Sequence, residues 1–75
     1  MVKSGLYLVT GVKKYPAYTG DSNEEWVKLL VPGDDCVDAR ENVKSLLPGR
    51  IDVIKGVKHL YDGAFDNYII DLAIV

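Results

Sequence analysis

The chain has 75 residues, of which 48% are hydrophobic and 27% charged, with a net charge of −2 and one cysteine. That length makes a single domain over residues 1–75, near the size below which a core needs disulfides, metals or oligomerisation, and the composition is that of a folded chain. The charge gives no overall attraction for phosphates or anionic membranes, a single cysteine closes no internal disulfide, and neither a leader pattern nor a membrane-length apolar run is present, so a soluble cytoplasmic protein is expected.

Residues 5–14 (GLYLVTGVKK) are rich in β-branched and aromatic side chains and predict a first strand, with Gly11 marking a bulge or a close backbone approach. Residues 15–23 gather turn formers around Pro16 and Gly20 and read as one long loop. A second strand over 25–31 (EWVKLLV) ends at Pro32-Gly33 and pairs with the first as a hairpin. Asp34 or Asp35 then caps a helix over 34–47, in which Cys36, Ala39, Val43, Leu46 and Leu47 form one apolar stripe. Asp35 and Asp38 in its first turn and Lys44 near its last complement the helix dipole, and Pro48-Gly49 supplies the stop. Residues 50–60 predict a third strand bulged at Gly56, 61–67 a turn around Asp62-Gly63, and 68–75 a fourth strand. The expected fold is therefore α+β, β-β-α-β-β, with a four-stranded, mainly antiparallel sheet ordered 2-1-3-4 and the helix on one face. A parallel pairing of strands two and three is the alternative.

The run Trp26 to Val31, followed by Asp34-Asp35, Asp38 to Val43, Leu47-Pro48-Gly49 and Ile51-Asp52-Val53, resembles the strand–helix–strand module of small phage-encoded proteins of the bacterial RNA polymerase inhibitor type. The resemblance covers residues 5–60. It implies a small protein that docks on a larger host protein, but it carries over no contact residue, and the fourth strand has no counterpart in that module.

The strands are apolar on both faces, and one helix covers only one. Alternation assigns Leu6, Leu8, Val27, Leu29, Val31, Ile51, Val53, Ile70, Leu72 and Ile74 to the helix side. It leaves Tyr7, Val9, Trp26, Leu30, Ile54, Ile69, Ala73 and Val75 on the second face. A surplus apolar face on a small protein marks a binding surface, so a non-enzymatic protein-binding module is expected, with Tyr7, Val9, Trp26, Lys28, Ile69 and Ala73 as partner-binding residues. Where no foreign partner takes that face, a homodimer through it or through the edge of an open strand is the default assembly, and a small structural homo-oligomer is a further alternative.

The alternative is a single-stranded nucleic-acid binder in which Lys13, Lys14, Tyr15, Tyr18 and Trp26 contact phosphates and stack bases. Asp21, Glu24 and Glu25 weaken its positive potential. A cysteine enzyme would have to use Cys36, at the helix start, with His59 as its base; Cys36 reads instead as a small member of the apolar stripe. Asp34, Asp35 and Asp38, and likewise Asp62, Asp66 and Asp71, lack the spacing of a calcium loop and are explained by caps and turns, so neither a metal nor a cofactor is expected. The seven glycines form no phosphate-binding motif.

Overall fold

Alternating apolar side chains from Leu6 to Val12 and from Trp26 to Val31 produce the two strands on which the rest of the fold is laid. In a computed structural model of the chain, which describes residues 2–16 and 22–72, these strands are β1 (Val2–Pro16) and β2 (Ser22–Gly33). They pair antiparallel without a register break from Gly5 opposite Gly33 to Pro16 opposite Ser22. Both strands thus extend into the span expected as a loop.

Helix α1 (Cys36–Leu46) follows, then β3 (Val53–Asp66) and β4 (Ile70–Asp71). Asp35 is the N-cap, its side chain accepting from the Asp38 backbone N–H, and Lys44 lies in the last turn. The chain leaves the helix through Gly49, whose φ of +79° suits a residue without a Cβ. The turn expected at 61–67 is not one: β3 runs through it to Asp66 and pairs with β1 along almost its whole length.

The sheet order is β3-β1-β2-β4, with every pairing antiparallel. The expected neighbours 2-1-3 are present, but β4 pairs with β2 (Leu29 opposite Asp71, Leu30 opposite Ile70) and not with β3. Because β3 continues to Asp66, its end lies beside the beginning of β1. The three-residue link after it reaches the free edge of β2.

Residues directly opposite in an antiparallel pair share a face. Tyr7 opposite Val31, Val9 opposite Leu29 and Gly11 opposite Val27 therefore define the helix side. There Tyr7, Val9, Val27, Leu29 and Val31 form the core with Ala39 and Val43 of α1, bordered by Leu47, Ile51, Ile54, Val57 and Ile69. The expected split of strand two is reproduced, whereas strand one is inverted: Leu6 and Leu8 look away from the helix, and Tyr7 and Val9 towards it. Each strand is apolar on both faces, so its period gives two sets of residues without saying which set of β1 sits beside which set of β2.

The helix lies directly on the end of β2. A Cβ on Gly33 would fall 2.8 Å from the Ala39 nitrogen and 2.9 Å from its Cα, a separation that only glycine permits. Cys36 is exposed and not part of the buried stripe, while Asn42 is buried within it.

Candidate functional site

Among the described residues no helix packs on the face of the sheet opposite α1, and its middle is solvent-exposed, while Val12 and Pro32 on the same face are buried. The apolar side chains of this face include Leu6 and Leu8 of β1, Trp26 and Leu30 of β2, Tyr61 of β3 and Ile70 of β4, all placed there by the pairing registers. Trp26 is 60% exposed, Tyr61 63% and Ile70 48%, while Leu6, Leu8 and Leu30 are half-buried. Val12, directly opposite Trp26, is fully buried on this side.

Two cations stand among these side chains. Along β1, Trp26 is level with Val12, Lys28 with Thr10, Lys58 with Leu8 and Tyr61 with Leu6. The four residues form a diagonal from β2 across β1 to β3, about 20 Å long in the strand direction at the usual rise per residue. Neither Lys28 nor Lys58 pairs with a carboxylate among the described residues. The described carboxylates nearest in register on this face are Glu24, opposite Lys14, and Asp66, opposite Val2, one beyond each end of the diagonal.

β3 reaches this face by an irregular route. At each of three register shifts it uses one more residue than β1, so that Lys55 is extra between Gly56 and Ile54, and Leu60 between Tyr61 and His59. Each extra residue reverses the alternation of the residues after it. The bulge expected at Gly56 is thus present, with Gly11 on the opposite strand making the close approach: a Cβ there would fall on the Val53 carbonyl oxygen and 2.7 Å from Ile51 Cγ2.

Of the residues expected to bind a partner, Trp26 and Lys28 lie on the uncovered face. Tyr7 and Val9 do not, being buried in the helix-side core, and Ile69 packs against that core. Ala73 lies outside the described residues. Leu6, Leu8, Leu30, Lys58, Tyr61 and Ile70 take their places; correct phasing of strand one would have found the first two.

In the basic and aromatic group at the far end of the hairpin, Lys13 and Tyr15 are engaged by carboxylates. Lys13 Nζ lies 3.4 Å from Asp52 Oδ2, the Lys14 backbone N–H donates to the same oxygen at 2.7 Å, and the Tyr15 hydroxyl donates to Glu25 Oε2 at 3.0 Å. The Lys14 N–H above all, with Lys13, holds the Asp52 carboxyl below the usual range, and the hydrogen bond to Glu25 pushes the Tyr15 hydroxyl up. Glu25 and Glu24 stand opposite Lys13 and Lys14. Lys13 and Tyr15 share the helix side, so Trp26 points away from them; Tyr18 lies outside the described residues.

The His59 ring packs against Tyr7 with centroids 5.0 Å apart and the planes tilted by 41°, lies 3.0 Å from Asp62 Oδ1 and contacts the Tyr61 carbonyl oxygen at 3.1 Å. No hydrogen bond joins it to Cys36 among the described residues. Burial first, then the nearby Cys36 and Asp35, pushes the Tyr7 hydroxyl up. Asp34 accepts from Ser4, Asp35 from Asp38, and Asp38 from Asp34 and Lys3, so the acidic run at the helix start serves as a cap.

A cleft of about 550 Å³ opens on the helix side between the end of α1 and the start of β3, lined by Arg40, Val43, Lys44, Leu47, Ile51 and Ile54 among others. It gathers no convergent acid–base pair. No family model, curated protein or solved structure matches the chain. No helix among the described residues is long and apolar enough to cross a membrane.

Proposed function

We propose that the chain is a non-enzymatic binding module of the small phage-encoded kind, which docks on a larger protein through the uncovered face of its sheet. The observation that supports this reading is the concentration of exposed aromatic and aliphatic side chains on one sheet face, with Trp26, Tyr61 and Ile70 at about half or more of full exposure. Solvated hydrophobic side chains scattered singly need no explanation, but a group gathered on one sheet face does. Large aromatic side chains are also what protein interfaces concentrate at their energetic centres.

A photo-cross-linking amino acid placed at Leu8 or at Trp26 is expected to capture a discrete partner in the cells that encode the protein. The same group at Glu41, on the outer side of α1, is expected to capture none. Equal capture from all three positions would refute docking through this face.

A further inference from the structure

We infer that the partner surface seated on this face is itself a protein segment in which aliphatic side chains alternate with carboxylates; the inference rests on the docking reading above and names the chemistry of its occupant. The chain as a whole is acidic, yet the centre of this face presents Lys28 and Lys58 without a carboxylate to pair them among the described residues. Lysines surrounded by leucine and tryptophan lose hydration when the face is covered, and that loss must be compensated by charges of opposite sign.

A second copy seated centrally does not supply them. With a twofold axis through the centre of the patch, the Lys28/Lys58 pair meets another Lys28/Lys58 pair. The homodimer expected through the second face keeps Trp26 there but loses Tyr7 and Val9, which are core, and Ile69, which packs against the core. Nucleic acid would answer the charge, but its sugar–phosphate chain has no aliphatic group for the Leu6, Leu8 and Leu30 patch that separates the two aromatic rings.

The test uses three synthetic probes: a nine-residue peptide alternating leucine and glutamate, its leucine–lysine counterpart, and a twelve-nucleotide oligothymidylate. Trp26 is the only tryptophan, so its emission reports occupancy directly. The acidic peptide is expected to bind with a blue shift of Trp26, and the basic peptide and the oligonucleotide not to bind. The double variant K28E/K58E, which changes only exposed side chains, should weaken the acidic peptide by at least about tenfold and gain the basic one. Binding of both peptides alike, tighter binding of the oligonucleotide, or a stable dimer in sedimentation that excludes the peptide would each overturn the inference. A cross-linked partner that is kept by K28E/K58E but lost from Trp26→Lys would overturn it while leaving the docking face in place.

Discussion

Asn42 is the buried polar side chain of the described core, and it joins three elements. Its Nδ2 donates to the Pro32 carbonyl at 2.8 Å, at the end of β2, and to Asn67 Oδ1 at 2.6 Å, in the link to β4. Replacement by leucine fills the space but leaves both acceptors without their donor, and a buried acceptor left unsatisfied costs about 1–3 kcal/mol. Chemical denaturation of Asn42→Leu should show a loss of that size; an unchanged midpoint would mean that water takes over both bonds. Asp38 contributes differently. The Asp34 N–H and the Lys3 ammonium, 3.1 Å away, hold its carboxyl below its ordinary value of 3.8. A carboxyl lowered in the folded state contributes stability that is complete above that ordinary value and lost as pH falls through the lowered one. Asp38→Asn should therefore be less stable than wild type at neutral pH, and the gap should close in strong acid. A gap independent of pH would assign the effect to the cap geometry and not to charge.

At the scale of elements, the contact between α1 and the end of β2 leaves no space for a methyl group at Gly33. Gly33→Ala must push the first turns of the helix off the sheet, and overpacking of this kind costs about 1–3 kcal/mol. Thermal unfolding of Gly33→Ala beside Gly56→Ala separates space from chain entropy, because a Cβ at Gly56 meets nothing within 4 Å. A larger loss at Gly56 would show that the close approach of the helix is relaxed at no cost. The helix was legible from its own residues, since the cap at Asp35, the pair Ala39 and Val43, and the stop at Gly49 are set by local chemistry. Strands one and two were legible as strands, but the phase between them depends on pairing across the loop, which no local pattern encodes. β3 was the least legible, because residues meeting the helix side are spaced by three between Ile54 and Val57, by two to His59 and by three to Asp62. Extra residues at the bulges create that spacing, and with Tyr61 opposite Leu6 they bring it to the binding face. Gly63, with φ +140°, tolerates the irregular backbone in the stretch that was expected to turn. β3 is also an edge strand, and its bulges, together with Lys55, Lys58, His59 and Asp62, oppose edge-to-edge pairing with another chain.

The whole molecule measures 46 × 22 × 19 Å, much longer than it is thick. An 11-residue helix is about 16 Å long, whereas a 15-residue strand is about 50 Å, so α1 covers about a third of β1. Beyond Gly11 the helix side of the hairpin is held by polar contacts: Lys13 and the Lys14 N–H on Asp52, and the Tyr15 hydroxyl on Glu25. Farther back, Arg50 Nε lies 2.6 Å from Asp71 Oδ2 and joins the segment after the helix to β4. The core and the far hairpin therefore rest on different forces, and exposed ion pairs contribute little beside buried apolar area. Hydrogen exchange should divide the molecule along this line. Backbone N–H groups of Val9, Leu29 and Val57 that are bonded in the sheet should exchange only through global unfolding, and the Lys14 N–H through local opening at much lower free energy. Asp52→Ala removes the Lys13 and Lys14 contacts of the far end and leaves the Tyr15–Glu25 bond, so it should speed exchange of the Lys14 N–H while leaving the core amides nearly unchanged. Equal acceleration throughout the sheet would show that the hairpin and the helix-covered core unfold as one unit, and that Trp26, at the junction between them, is positioned by the stability of the whole chain.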